Sequence, residues 1–233
     1  MINHYPYTKL GHANHGWLDA RHHFSFASYQ DIERQQFGVL RVINDDVIKA
    51  GAGFDTHPHK NMEIITYVRA GAITHRDSND NVGRTVAGDV QVMSAGTGVF
   101  HSEFNLESED TNIFQIWIEP NELDVKPRWD SYQFPKEPTV DTLMLLVSGD
   151  GSAPLSIHQD AFIYAGYLCQ GTQLTHPIKH QVYILVSEGT IEVEGRLLNK
   201  GDGLEVTELS SIHLKALNDT KVLVIDVPQN KTQ

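Results

Sequence analysis

The chain has 233 residues, 40% of them hydrophobic and 21% charged, an ordinary globular profile with room for one large domain or two of about 100 residues each. A formal net charge of -12, with no basic stripe, excludes phosphate-backbone binding as the main activity, because that affinity rests on clustered lysine and arginine. A lone cysteine, Cys169, excludes an internal disulfide, and no apolar run approaches the roughly 18 residues that a membrane span needs.

In chain order, the first segment, MINHYPYTKL, is too polar for a signal peptide, so a cytoplasmic protein is expected. Histidine is the compositional oddity, with 13 in the chain. His12, His15, His22 and His23 share a Gly- and Asn-bearing segment with Trp17, Phe24 and Phe26. That segment reads as a cap or a crossing between domains rather than as a metal site.

From about Phe37 onward, short apolar runs rich in Val, Ile, Tyr and Thr alternate with Gly, Asn and Asp turns: FGVLRVI, MEIITYV, AITHRD, VQVM and NIFQIWI. This spacing predicts antiparallel strands in a sandwich or barrel, and no stretch carries a convincing helical period. Between Asn121 and Thr139 the alternation fails and three prolines appear, so a linker or wrapping segment is expected. Strands resume with MLLVS, FIYAGYL, QVYILVS, GTIEVEG and KVLVIDV.

The second set echoes the first. Thr56-His57-Pro58 returns as Thr175-His176-Pro177, Ala70 to Ile73 as Glu188 to Ile191, and Gly88-Asp89 as Gly201-Asp202. His101 is matched with His213, and Ile118 to Pro120 with Asp226 to Pro228. An ordered series with a slowly drifting offset predicts a duplicated unit. The expected fold is therefore all-β, with two tandem jelly-roll-type β-barrels over residues 1–134 and 135–233. On this alignment His59 corresponds to Ile178 and Glu103 to Lys215, so only His176 and His213 remain in the second barrel, with His180 as a substitute, and the second metal site is incomplete. Cys169, at the end of an apolar run, is expected to be a buried small hydrophobe.

Side chains at i and i+2 of a strand leave the same face, so His57 and His59 in T-H-P-H-K project together, and His101 and Glu103 in F-H-S-E-F repeat the spacing. Pro58 biases His57 toward extended backbone. Gly51, Gly88, Gly96 and Gly98 permit the turns that bring the two segments together. A single H-x-H is more often a polar pair on a strand than a ligand pair, and the second H-x-E with its glycine framework shifts that balance.

These residues resemble the cupin superfamily. Its first motif, G-x5-H-x-H-x3,4-E-x6-G, is met by Gly51, His57, His59, Glu63 and Gly71 with one extra residue before the last glycine. Its second, G-x5-P-x-G-x2-H-x3-N, is met by Gly88, Gly96, His101 and Asn105, with Ser94 for the proline and two extra residues before His101. The whole chain looks like a pirin-type bicupin through RHHFSFASY (21–29), LRVINDDVI (40–48), THPHKNMEI (56–64) and SAGTGVFHSEFN (94–105).

The resemblance implies a metal held by His57, His59, His101 and Glu103, whereas general cupins take the carboxylate from the first motif, here Glu63. Glu63 lies four residues past His59, about 13 Å along an uninterrupted strand, so it ligates only if the chain turns between them. Otherwise it is a candidate for orienting a ligand histidine. Three imidazoles and a carboxylate suit Fe(II) first, and also Ni, Co, Mn, Cu or Zn, rather than Ca or Mg.

The resemblance further implies an oxidoreductase of the quercetin 2,3-dioxygenase kind, acting on a flavonol or related enol with dioxygen. Glu103 then doubles as the base that takes the enol proton. Two alternatives remain open: a metal-dependent regulatory protein that acts through a protein partner, and a non-oxidative isomerase. Direct nucleic-acid or membrane partners are not expected.

Overall fold

A computed structural model describes residues 1–230 and is almost entirely β-structure, with a single 3-10 turn at Tyr7–Lys9. Among the described residues no helix is long and apolar enough to cross a membrane. The strands form two pairs of sheets, each pair having seven and four strands.

In the N-terminal half the seven-stranded sheet runs Arg128–Tyr132, Val90–Ser94, Glu63–Ala70, Thr111–Ile118, Leu40–Ile48, Leu18–His22, Gly11–Asn14. Its four-stranded partner runs Gly53–His59, Val99–Phe104, Ala72–Asp77, Val82–Val86. The C-terminal half repeats the plan. Gly203–Val206, Gln181–Glu188, Thr220–Val227, Phe162–Leu168 and Met144–Ser148 lie in its large sheet, and Gln173–Pro177, Ser211–Ala216, Thr190–Val193 and Arg196–Asn199 form the small one. This is the duplicated all-β architecture that the internal repeat predicts, two cupin units in tandem.

Some strands depart from the sequence reading. Ile2–Tyr5 pairs with Gly203–Val206, so the chain opens in the C-terminal sheet and crosses back, against the expected division at 134/135. Leu18–His22 is a full member of the N-terminal sheet, not a cap. Arg128–Tyr132, inside the expected linker, adds an edge to that sheet beside Val90–Ser94, where an edge position tolerates the nearby prolines.

The strict alternation of strands distributes the side chains. Ile64, Thr66 and Val68 point between the two sheets of the N-terminal half, whereas Ile65, Tyr67 and Arg69 point at the C-terminal half. Ile65, Tyr67, Phe114, Ile116 and Ile118 meet Leu146, Ile163, Leu185, Leu223 and Ile225 in one shared core between the halves. Each half also has its own interior. That of the C-terminal half is apolar, built on Val182, Ile184, Ile191, Leu204, Ile212 and Leu214. That of the N-terminal half is apolar only at its two ends, and polar between them.

Register explains why the two halves differ. His57 pairs with His101, but its repeat counterpart His176 pairs with Ile212 rather than His213. Likewise Glu103 pairs with His75, while Leu214 pairs with Val193, the counterpart of His75. The sequence match of His101 to His213 and of Glu103 to Lys215 is therefore one residue out of step, and in a strand one residue moves a side chain to the other face. His213 lies outside, with Nδ1 2.9 Å from Glu194, and the interior positions are taken by Ile212 and Leu214. His176 alone remains inside, packed on Tyr164, its buried Nε2 without a partner.

Burial lowers the His176 pKa to about 4, so the native state keeps it neutral. A depressed histidine costs native stability as pH falls below the unfolded value of about 6.5 toward the folded one, because only the unfolded chain takes up the proton. A His176→Leu protein is expected to be more stable than wild type, with a gap that widens by about 2 kcal/mol between pH 8 and pH 5. Urea unfolding at the two pH values checks this, and parallel pH slopes would count against it.

Candidate metal centre

His57 and His59 lie on Gly53–His59, and His101 lies opposite on Val99–Phe104. The pairing register shifts between His101, opposite His57, and Glu103, opposite Phe54, which leaves Asp55 and Thr56 against Ser102 alone. Such a bulge re-aims side chains and is common beside active sites. Here it turns Phe54, His57 and His59 all inward, while Asp55 and Thr56 stay exposed. The equivalent strands of the C-terminal half pair without a shift.

The three imidazoles lie with ring centroids 4.4 to 4.9 Å apart. One nitrogen from each falls within 4.8 Å of the others, a group that can hold a metal ion. His57 Nδ1 donates to the Asp55 carbonyl oxygen at 2.7 Å, which leaves the Nε2 lone pair free. The Nε2 atoms of His59 and His101 are buried with no hydrogen-bond partner. Orphaned buried nitrogens are costly unless something unseen binds them, so the donor set fits a metal. Burial, then the neighbouring imidazoles, lowers His59 to about 4, and burial outweighs the opposing pull of Glu103 to bring His101 to about 4. Both rings are neutral near pH 7, the form that ligates.

Glu103 is buried at 2% exposure and falls into a second, overlapping group with His101 and His75, again within 4.8 Å. Its Oε1 accepts from Gln91 at 2.8 Å and Thr66 at 3.2 Å, and Oε2 accepts from Gln115 at 2.9 Å. Burial works to raise its pKa, yet His101, the Gln115 hydrogen bond, His75 and the Thr66 hydrogen bond together bring it below the ordinary value. The four expected residues, joined by His75, thus fall into two trios that share His101.

Glu63 does not join them. It sits one residue out of phase with Ile64 and Thr66, so its side chain leaves the opposite face of the sheet, toward the other half. There it accepts from Ser94 Oγ at 2.7 Å near His158 and Arg128. Neither ligation nor orientation of a ligand histidine is open to it.

A cavity of about 350 Å³ opens beside His57, His59 and Glu103, within the range of small-molecule pockets. Phe26, Phe54 and Trp117 give it flat apolar walls. Asp46 closes a polar corner, with Oδ1 buried and unpartnered, and burial, then Asp45 and Glu103, raise its pKa well above the ordinary carboxylate value. His22, on the same wall, shares a 2.7 Å hydrogen bond with Asn44.

Residues 5–118 match the pirin family, and residues 145–227 match the quercetinase C-terminal cupin domain. A pirin-like protein of Caulobacter vibrioides is 48% identical, over 97% of this chain and 99% of its own length. The quercetin 2,3-dioxygenase of Escherichia coli K12 is 44% identical, over 95% and 96%. The chain belongs to the pirin family. The crystal structure of the bacterial pirin YhhW from Escherichia coli in complex with nickel(II) superposes with a TM-score of 0.92, at 42% identity, covering 98% of this chain and 100% of that one.

Within this pirin fold the N-terminal histidines divide. His15 and His22 line the cavity, and His23 crosses to Tyr183 of the other half, with Nδ1 2.9 Å from its hydroxyl. Cys169 is exposed, contrary to expectation, because the strand ends at Leu168 and Cys169 begins the turn closed by Thr172 N–H on its carbonyl at 3.0 Å. The site residue that the sequence reading missed is His75, fully buried beside His101. Its signal is the i, i+2 spacing of His75 and Asp77 in AITHRD, the same spacing that marks the other two pairs.

Proposed function

We propose that this pirin is a metal-dependent dioxygenase that cleaves quercetin or a related flavonol or enol with dioxygen, using one divalent ion held by His57, His59, His101 and Glu103. The observation that carries the reading is the convergence of three imidazoles, two with orphaned Nε2 atoms, beside a cavity with aromatic walls that His57 and His59 line. Relatives named quercetin 2,3-dioxygenase and the nickel(II) complex of YhhW support it. Fe(II) is the first choice, since imidazole and carboxylate donors without thiolate suit mononuclear oxygenase iron, with nickel, cobalt, manganese, copper and zinc also compatible.

A bound ion supplies Lewis acidity, which stabilises an ionised enol oxygen. The rest falls to the chain. Phe54 and Trp117 bind the aromatic rings of the substrate and exclude water, and Asp46 Oδ1 faces its polar edge. Glu103 Oε2 takes the enol proton, and Gln115, Gln91 and Thr66 hold the carboxylate in place for that transfer. Its lowered pKa keeps it ionised near neutrality, hence ready to accept.

Oxygen uptake with quercetin, in air and under anaerobic conditions, tests the reading for protein loaded with each metal in turn. Oxygen-dependent ring cleavage is expected. Oxygen-independent turnover would replace the dioxygenase with an isomerase, and no turnover with any metal would favour a regulatory protein. A Glu103→Gln protein is expected to lose about 10²- to 10⁴-fold in kcat, the usual worth of a positioned base. Full activity with full metal content in that variant would remove Glu103 from both roles.

A further inference from the structure

We propose that His75, anchored by Asp77, is a positioning residue that fixes the tautomer and orientation of the His101 imidazole for metal binding. The inference rests on the reading of His57, His59 and His101 as ligands.

The two rings meet Nδ1 to Nδ1 at 3.3 Å. A hydrogen bond between them requires one nitrogen to carry the proton and the other the lone pair. For His101 to offer its lone pair at the orphaned Nε2, its proton must sit on Nδ1. His75 Nδ1 is then the acceptor, so the proton of His75 is on Nε2. That nitrogen lies 3.0 Å from Asp77 Oδ2, which can only accept. Every donor finds an acceptor under this one assignment, from the carboxylate through two imidazoles to the metal side of His101. Reversing any proton leaves a clash or an unpaired group in a buried site.

Geometry holds the relay rigid. His75 is fully buried and stacks on Trp129, with ring centroids 5.1 Å apart and planes at 10°. His75 and Asp77 are i and i+2 on Ala72–Asp77, and Glu103 and His101 pair with them across the sheet. Asp77 Oδ1 accepts from the backbone N–H groups of Asn79 and Asn81, at 2.9 and 3.1 Å, so the carboxylate is tied to the following turn. Its Oδ2 remains for His75, shared with Asn81 Nδ2 at 2.9 Å. His75 also lies close enough to His101 and Glu103 to be considered a ligand itself. Both of its nitrogens are engaged, whereas Nε2 of His59 and of His101 are not, so His75 supports the site rather than completing it. Such outer partners orient a ligand imidazole and raise its basicity.

The test uses the full chain titrated with cobalt(II), reading affinity by chelator competition and the visible ligand-field bands. His75→Phe keeps a ring over Trp129 and removes the acceptor. His75→Asn restores an acceptor oxygen near the position of Nδ1. The Phe variant is expected to bind cobalt about 10- to 100-fold more weakly, with shifted bands, and the Asn variant to recover most of both. Unchanged affinity and spectrum in His75→Phe would overturn the proposal. Long-range proton–nitrogen NMR of the zinc-loaded wild type gives a second reading free of mutation. Protons on His101 Nδ1 and His75 Nε2 are expected, and the opposite tautomers would overturn the relay. Failure of the wild type to take up cobalt or zinc would instead overturn the ligand assignment itself.

Discussion

A His101→Ala protein is expected to be purified nearly free of metal and without oxygen uptake on quercetin, while the wild type carries close to one ion per chain. His101 stands in both trios of the site, so its loss breaks each of them. Removing outer-shell partners costs about 10- to 100-fold in metal affinity, and removing a donor atom costs more than that. The substitution also leaves the His75 Nδ1 and Glu103 without their neighbour, in a space that an alanine does not fill. Elemental analysis of both proteins decides the matter. Equal metal content would mean that the ion, if present, sits elsewhere. His213→Ala is the matched control, since that histidine lies on the outer face of the C-terminal half and is expected to leave metal content unchanged.

Arg69→Met is expected to lower stability by about 3–5 kcal/mol, the cost of leaving a buried carboxylate without its partner. The Arg69 side chain is 3% exposed and forms an ion pair with the Asp45 side chain, itself 6% exposed, on the face turned to the C-terminal half. Its remaining donors reach Ser187, Nε to Oγ at 3.0 Å and a terminal nitrogen to the carbonyl oxygen at 2.6 Å, so one side chain ties the two halves together. For a chain of this length the loss corresponds to about 6–20 °C in Tm.

Burial already holds Asp45 above its ordinary pKa, with Arg69 opposing it, and removing the arginine raises it further. A carboxyl whose folded pKa exceeds the unfolded one binds its proton more tightly in the native state, so native stability falls as pH rises through that window. The deficit of Arg69→Met is therefore expected to be largest near pH 8 and to shrink toward pH 4 to 5. Adding Asp45→Asn should recover much of it at pH 8. Thermal unfolding of the single and double variants checks both statements, and a pH-independent deficit that the second substitution leaves untouched would refute them.

Much of the fold was open to inspection in the amino-acid order, because strands alternate with a period of two and turns concentrate Gly, Asn and Asp. The runs MEIITYV, NIFQIWI, QVYILVS and KVLVIDV are all central strands, and the duplicated order of Thr56 to Pro58 and Thr175 to Pro177 anticipated two similar units. Ile2–Tyr5 and Arg128–Tyr132 were not legible. Each owes its place to an open edge offered by another part of the chain, and no local pattern records that.

At the site, the three histidines follow from H-x-H and from the glycine-bearing loop ahead of His101. Gly96 earns its place there, with φ of +46° and a Cβ that would stand 1.9 Å from the Val125 carbonyl oxygen. What sequence alone determined about this protein is thus the residue types, their i, i+2 spacing and the existence of a repeat. The tertiary structure decided which face each residue takes. A single bulge turns His57 and Phe54 inward together, and one step of phase sends Glu63 to the opposite face of its sheet, against Ser94. Another step of phase puts Ile212 and Leu214, not His213 and Lys215, inside the second half. Register is set by pairing with distant strands, and a slip of one residue reverses every side chain while leaving the sequence pattern unchanged. The i, i+2 pair of His75 and Asp77 obeys the same limit, since pairing with Glu103 and His101 across the sheet is what places it at the site.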